Sequence, residues 1–170
     1  MIKNNLRTIW LKPLLAAVFA MVMVLQFAVQ SVQASGIPVQ NRTFPFDESN
    51  NIVLSEKDLA KGKKLFSNTC ATCHLGGTTF TNPSVNLSPE SLGGANPVRN
   101  NIVGLIDYMK NPTTYDGETE IYETHPSLRS SDIFPTMRGL TDNDLKLIAG
   151  YILYSPKAKG IGWGGGKIYY

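Results

Sequence analysis

The sequence predicts a mostly α-helical fold. Two stretches carry a helix start signal, because Ser55 and Asp58, and later Thr141 and Asp144, have the spacing of a capping box. Apolar residues follow each signal at helical intervals. The sequence shows no alternating run long enough to build a sheet and no internal repeat. These observations favour a few helices around a single core.

The first residues have the composition of a cleaved signal peptide. Lys3, Arg7 and Lys12 precede an apolar run over residues 14–25, and small residues follow at the expected cleavage positions. The run is shorter than the roughly 20 apolar residues that a membrane span needs. We therefore expect residues 1–34 to be removed during export.

Removal of this leader changes the charge balance. The chain has 16 basic and 13 acidic residues, and the three basic residues of the leader account for the whole difference. The mature chain is therefore formally neutral, and it has no basic stripe that could neutralise phosphates. We expect no nucleic-acid partner.

The mature chain is predicted to have three parts. Residues 35–51 are rich in polar residues and proline, and we expect an irregular N-terminal arm there. Residues 52–160 contain the predicted helices and form the main domain. Residues 161–170 are rich in glycine and end in apolar and aromatic residues, which predicts an exposed tail.

The first helix of the domain begins at Ser55 and runs directly into Cys70. Gly62 lies inside this helix, where glycine costs about 1 kcal/mol relative to alanine. Such a glycine indicates close approach of another helix. The helix should hold the segment that follows it rigidly.

Three further helices are predicted. A short one begins at Ser88, where a capping residue, a proline at the first helical position and an early carboxylate coincide. The next is capped by Asn100 or Asn101 and stops at the Asn-Pro pair at 111–112. The last follows the second capping box and is predicted to end before Pro156.

The chemistry of the chain centres on the segment 70–74, Cys-Ala-Thr-Cys-His, which contains its only two cysteines and one of its two histidines. This spacing is the attachment signature of a c-type haem, in which Cys70 and Cys73 form thioethers and His74 ligates the iron. A thioredoxin-like pair should follow a βαβ pattern, and a zinc site needs about four ligands. A disulfide across two residues would stabilise little. The adjacent histidine distinguishes the haem interpretation from these alternatives.

We therefore expect one covalently bound haem c per chain and a class I-like monohaem cytochrome fold, with helices wrapped around the porphyrin. Because the domain has many loops and a modest apolar core, the apoprotein should fold poorly. No carboxylate–histidine pair or nucleophile triad remains in the chain, so we expect an electron-transfer or structural haem protein rather than an enzyme.

The second axial ligand is left open by the pattern. His125 lies in a predicted loop, and Met137 has the Pro-x-Met setting that small electron carriers use. Met109 completes the apolar face of its helix and should belong to the core. His125 and Met137 are about equal candidates on these grounds. The choice matters because methionine raises the reduction potential of a haem, whereas a second histidine lowers it.

Longer segments resemble the extrinsic cytochrome c-550 family of photosystem II, also called the PsbV family. They lie at 70–77, 104–117, 125–129, 132–138 and 163–170. The resemblance extends over nearly the whole mature chain. The central and C-terminal segments are more specific than the haem signature alone.

This resemblance implies bis-histidine ligation, with His125 as the second ligand and Met137 as a haem-pocket residue. It implies a peripheral subunit in the thylakoid lumen that contacts the photosystem II core and other extrinsic subunits. There it would shield the oxygen-evolving manganese–calcium cluster and help to retain calcium and chloride. The tail would contribute to docking through Trp163, Lys167, Ile168, Tyr169 and Tyr170.

Two alternatives stay open at this stage. The protein could be a soluble lumenal electron carrier, or a divergent paralogue of the family with a separate redox role. An electron carrier should have a higher reduction potential than the photosystem II subunit. A divergent paralogue should differ from that subunit in its ability to dock on photosystem II.

Overall fold

The structure is a computed structural model that describes Phe19, Met21 and residues 36–165. The chain divides into two compact units, Met1–Gly36 and Ile37–Tyr170. The second contains the core of the protein. Apart from Phe19 and Met21, the predicted signal peptide lies outside the described residues. None of the helices described is long and apolar enough to cross a membrane.

Helices dominate the described part of the second unit, which confirms the mostly α class. Between residues 36 and 165 the α-helices are α1 (Glu56–Thr69), α2 (Ala71–His74), α3 (Pro89–Gly93), α4 (Ile102–Lys110) and α5 (Asp142–Lys159). Short 3-10 turns cover Val39–Arg42, Leu75–Gly77, Pro135–Met137 and Gly160–Gly162.

Both predicted capping boxes are present. At the start of α1, the Asp58 N–H donates to Ser55 Oγ at 3.1 Å, and the Ser55 N–H donates to the Asp58 carboxylate at 3.0 Å. At the start of α5, Thr141 and Asp144 form the same pair of bonds at 3.2 and 3.1 Å. Each box satisfies N–H groups that have no partner within the helix.

The two shorter helices are also capped as predicted. Ser88 Oγ accepts from the Ser91 N–H at 3.2 Å at the start of α3. Asn101, rather than Asn100, caps α4, since its Oδ1 accepts from the Gly104 N–H at 2.8 Å. These bonds fix the direction in which each helix leaves its loop.

The last helix is longer than predicted, because Pro156 lies inside α5 rather than after it. Proline removes one helical hydrogen bond, and this cost was the basis of the prediction. The surrounding turn remains bonded: Ser155 Oγ donates to the Tyr151 carbonyl at 2.8 Å, and the Gly160 N–H bonds to the Pro156 carbonyl. One missing bond therefore does not end the helix, which continues to Lys159.

The N-terminal arm is not irregular throughout. Strand β1 (Thr43–Pro45) lies within it and pairs antiparallel with β2 (Asn51–Val53), which begins at the last residue of the arm. Phe44 from β1 is buried against Leu54 and Leu59 in a small cluster beside the main core. These strands were not predicted because three residues are too few to show an alternating pattern.

Helices α1 and α5 pack closely at Gly62, as its position predicted. A side chain at Gly62 would overlap the carbonyl group of Leu147 and lie 3.2 Å from Cβ of Tyr151. Glycine therefore lets the two backbones approach to a distance that no other residue allows. This contact lies between the two longest described helices.

Trp163 belongs to the main core, so the expectation that its indole is exposed is wrong. The residue is 3% exposed, and its ring centroid lies 5.8 Å from that of Phe66 and 6.0 Å from that of Tyr151. Its Nε1–H donates to the Leu87 carbonyl at 2.8 Å. Burial leaves this indole no surface for docking. The described residues do not include the other predicted docking residues, Lys167, Ile168, Tyr169 and Tyr170.

The close approach at Gly62 predicts a loss of stability on substitution. In an exposed helix, Gly62→Ala would gain about 1 kcal/mol from helix propensity. Here the added methyl group meets backbone atoms of α5, so we expect the free energy of unfolding to fall by about 1–3 kcal/mol. Urea denaturation of the holoprotein measures the change. Gly162→Ala is the matched control, since that position faces open space, and an equal effect of both substitutions would contradict the proposed packing role.

The capping box of α5 predicts a pH-dependent contribution. Hydrogen bonds from Lys61, then from Thr141, lower the pKa of Asp144 to about 2. The stabilisation is therefore complete above the ordinary pKa of about 4 and is lost as the pH falls through about 2. We expect Asp144→Asn to cost about 1 kcal/mol at neutral pH, because the Lys61 pair is partly exposed.

Denaturation of wild type and variant between about pH 7 and pH 2 tests this prediction. The difference between the two proteins should shrink as the pH falls. Asp142→Asn is the control, because Asp142 pairs with Lys110 at 2.8 Å on the surface and caps nothing. A difference that persists unchanged at the acid end would rule out the carboxylate as its cause.

Candidate haem site

A cavity of about 550 Å³ opens beside the Cys-x-x-Cys-His segment. Its volume lies within the roughly 300–1,000 Å³ that is typical of sites for small molecules and cofactors. Cys70, His74 and His125 all line it. Its apolar wall includes Phe66, Leu92, Leu105, Met109 and Ile152. The cavity is therefore an apolar chamber with a thiol and two imidazoles in its wall.

His74 and His125 face each other across this chamber, although 51 positions separate them in the chain. Their ring centroids are 6.1 Å apart, with an angle of 52° between the ring planes. A first-row metal lies about 2 Å from an imidazole nitrogen, and the ring centre lies about 1 Å beyond it, so two imidazoles on one metal have centroids about 6 Å apart. The spacing therefore fits one metal held between the two rings.

Backbone carbonyls fix the tautomer of both imidazoles. Nδ1 of His74 lies 3.1 Å from the Thr78 carbonyl and 3.1 Å from Thr79 Oγ1. Nδ1 of His125 lies 3.0 Å from the Pro126 carbonyl. Since a carbonyl oxygen can only accept, both Nδ1 atoms carry the proton. Nε2 of each ring is left with the lone pair that a metal needs.

Burial also keeps the two rings uncharged. It lowers the pKa of His74 below its ordinary value. Burial, followed by the nearby imidazole of His74, lowers the pKa of His125 to about 4. Both histidines are therefore neutral at physiological pH, which is the form that binds metals.

The segment that carries the cysteines is held by the end of α1. The N–H of Cys70 bonds to the Phe66 carbonyl at 2.8 Å, and α2 then brings His74 to the cavity wall. Burial, followed by the charge of Cys73, raises the pKa of Cys70 to about 12. Thioredoxin-like redox cysteines need a lowered pKa, so this environment argues against a redox pair.

A zinc site is also disfavoured. Over residues 36–165, no three His, Cys, Asp or Glu side chains come together as a metal site. The two cysteines, His74 and His125 therefore do not form a tetrahedral cluster there. The donors are instead spread around an apolar chamber of cofactor size, and this arrangement fits a haem, whose iron supplies one-electron redox chemistry.

Met109 and Met137 differ in position. Met137 is buried in the main core and is not among the residues that line the cavity. Met109 belongs to the same core but also lines the cavity. The structure thus brings His125, and not Met137, into the chamber with His74.

Sequence reasoning gave no site role to Arg99 and Tyr108, which both line the cavity. The Tyr108 ring packs edge-on against His125, with centroids 5.0 Å apart, and the Arg99 guanidinium lies 3.9 Å from the centroid of Tyr108. Tyr108 could have been found, because it lies next to Met109 on the apolar side of α4. Arg99 is a single arginine in a loop, and no sequence pattern marks it.

Comparisons with known proteins agree with this geometry. A family model described as Cytochrome c-550 domain matches residues 34–170. Photosystem II extrinsic protein V of Thermosynechococcus vestitus is 56% identical over 146 residues, which cover 85% of this chain and 90% of the relative.

Solved structures give the same result. The crystal structure of cytochrome c549 is 54% identical, has a TM-score of 0.73 and covers 75% of this chain and 99% of its own. The PsbV2 cytochrome from Thermosynechococcus elongatus is 31% identical, has a TM-score of 0.62 and covers 82% of this chain and 97% of its own. The fold is thus that of a class I-like c-type cytochrome, and the chain belongs to the cytochrome c-550 family.

Proposed function

We propose that this protein is a low-potential c-type cytochrome with two histidine ligands, and that it serves as an extrinsic subunit of photosystem II. The observation that carries the proposal is the pair of neutral imidazoles, His74 and His125, with centroids 6.1 Å apart across an apolar chamber. The name of the relatives, Photosystem II extrinsic protein V, supports the assembly in which the subunit acts.

The residues have separate roles in this proposal. Cys70 and Cys73 attach the haem through thioethers, and His74 and His125 ligate its iron through Nε2. Two imidazoles give a lower potential than an imidazole with a thioether sulfur. With both imidazoles bound, the iron would have no open position for oxygen or a substrate. The haem then serves electron transfer or structure rather than catalysis.

The proposed location is the lumenal face of the thylakoid membrane, with the subunit held there by contacts with the photosystem II core and other extrinsic subunits. In that position it would shield the manganese–calcium cluster and help to retain calcium and chloride. The family and the names of the relatives support this part of the proposal. A divergent paralogue has less support, because identity to the PsbV2 cytochrome is only 31%, against 54% to cytochrome c549.

The alternative of a soluble electron carrier has one structural observation in its favour. Leu75 and Phe80 are exposed large apolar residues, and the Phe80 N–H bonds to the Cys73 carbonyl at 3.0 Å. Exposed apolar side chains beside the haem-binding segment could contact a redox partner. The reduction potential separates this alternative from the main proposal.

The ligand assignment predicts a clear redox difference between two variants. His125→Met should raise the midpoint potential on the order of tenths of a volt, because a thioether replaces an imidazole at the iron. Met137→Leu should leave the potential unchanged, since Met137 lies in the core. Spectroelectrochemical titration of the two holoproteins measures both values.

Near-infrared magnetic circular dichroism provides the control, because it identifies a methionine–iron bond directly. Wild type and Met137→Leu should lack that signal. The ligand assignment is wrong if wild type shows it and Met137→Leu abolishes it.

The base of the tail is attached firmly beside the haem-binding segment. The Gly164 N–H bonds to the Gly76 carbonyl at 2.9 Å. Gly77 has a φ of 83° and packs against the Trp163 indole, which would collide with any side chain at this position. Residues up to Gly165 thus belong to the folded domain, and a truncation that tests docking should begin after them.

Removal of residues 166–170 should weaken binding to photosystem II cores by at least about tenfold, because aromatic and cationic anchors carry much of an interface's affinity. Release-reconstitution titrations at several salt concentrations measure the affinity, and the haem spectrum should stay unchanged. As a matched pair, Tyr169→Phe with Tyr170→Phe should bind normally, whereas the corresponding alanine changes should not. Undiminished binding of the truncated protein at every salt concentration would remove the docking role.

A further inference from the structure

We infer that Arg99 is the residue that holds a carboxylate of the haem inside the cavity. The inference depends on the proposed function only in requiring that a haem occupies the chamber. It concerns a loop arginine for which neither the sequence pattern nor the haem signature gives a role.

Arg99 is a buried cation without an anionic partner among the described residues. It is 6% exposed. One guanidinium nitrogen donates to the Thr113 carbonyl at 3.3 Å, to Thr113 Oγ1 at 3.2 Å and to the Thr114 carbonyl at 2.8 Å. All three acceptors are neutral. A buried charge without a counter-charge is strongly unfavourable, so the environment lacks one component.

The missing component is an acceptor for the guanidinium donors that Thr113 and Thr114 leave unsatisfied. Nε of Arg99 is the one buried side-chain nitrogen or oxygen of the described residues that has no hydrogen-bond partner. Native proteins satisfy nearly all such groups. Protein atoms cover Nε, so an acceptor in the cavity would reach the guanidinium at Nη1, to which the described residues offer no hydrogen bond.

The charge of the cavity wall identifies the chemistry of that ligand. Arg99 is the only Lys or Arg among the lining residues, which include no Asp or Glu. A guanidinium presents a planar set of N–H donors that matches a carboxylate. A haem is apolar over most of its surface but carries two propionate side chains, so its carboxylates supply the anion that the wall lacks.

The same arginine is connected to the iron ligand through one aromatic ring. Its guanidinium stacks on Tyr108, whose edge packs against His125. Binding a carboxylate at Arg99 therefore also fixes Tyr108 and the orientation of His125. Arg99 is a positioning residue in this scheme, because it does not touch the iron.

The test compares the midpoint potentials of wild type and Arg99→Gln over a range of pH. In wild type the carboxylate stays ionised beside Arg99, and the pair has no net charge. In the variant the carboxylate lies in an apolar wall without a cation, so its pKa rises. The two proteins should share one potential at low pH, where the variant's carboxylate is protonated. At high pH the variant should have the lower potential, because its carboxylate is then an uncompensated negative charge.

A purely structural role for Arg99 predicts a different result. Loss of the bonds to Thr113 and Thr114 would shift the potential by the same amount at every pH, or not at all, and either outcome overturns the inference. Tyr108, Tyr115 and His125 are the neighbouring titratable groups of the protein, and the charge of Arg99 lowers the pKa of Tyr108 and of His125, so both values rise in the variant. Tyr108 stays neutral at a higher pKa, and His125 would be held by the iron in both proteins, so the carboxylate is the group whose titration should differ. Arg138→Gln is the matched control. Arg138 also donates to backbone carbonyls, those of Ser131 and Asp132 at 2.8 and 2.9 Å, but it is exposed and outside the cavity.

A second measurement needs no substitution and answers the question if Arg99→Gln does not accumulate as a holoprotein. Redox-induced infrared difference spectra of wild type should show no protonated carboxyl signal from the haem between about pH 6 and pH 9. Such a signal titrating in this range would overturn the inference. The visible and electron paramagnetic resonance spectra of the same samples report the two histidine ligands, so failure of the ligand assignment is seen separately.

Discussion

The structure depends on one constraint, the placement of two neutral imidazoles on opposite sides of an apolar chamber. Local backbone sets the orientation of each ring, since Nδ1 of His74 bonds to the carbonyl of Thr78 and Nδ1 of His125 to that of Pro126. Tertiary packing sets the distance between them. The local hydrogen bonds therefore leave Nε2 of each ring free to bind a metal, and the tertiary fold brings the two rings to opposite sides of the chamber.

The packing that brings them together is the packing of the core itself. Phe66, Leu105, Met109 and Ile152 belong to the main hydrophobic cluster and also line the cavity. The loop that carries His125 is tied to α4, because the Leu128 N–H bonds to the Met109 carbonyl at 3.1 Å. The residues of the chamber wall are thus part of the hydrophobic core itself. Its apolar wall gains its full stabilisation only when an apolar group fills it, which couples haem binding to folding.

Sequence reasoning succeeded where the signal is local. Each capping box is a pattern of four consecutive residues, and the haem signature is a pattern of five consecutive residues. It failed where the environment of a residue depends on how the folded chain buries it. The glycine-rich context of Trp163 suggested exposure, although the indole fills the core, and Phe44 lies in strands too short to show a pattern. Periodicity likewise could not decide between His125 and Met137 as the second ligand, because the answer depends on which loop reaches the cavity in the folded protein. Arg99 acquires its significance only from a missing partner, which a sequence cannot show.

The corrected position of Trp163 changes how the ends of the domain relate to the site. Its indole packs on Gly77, three residues after His74, and its Nε1–H is bonded to Leu87, another residue of the cavity wall. The Gly164 N–H adds a bond to Gly76. The base of the tail and the loop around the first histidine therefore form one packed unit. The base of the tail contacts the turn that follows His74, whereas Tyr108, with Arg99 stacked on its ring, packs against His125. The two imidazoles thus have separate supports, and only the support of His74 includes the base of the tail.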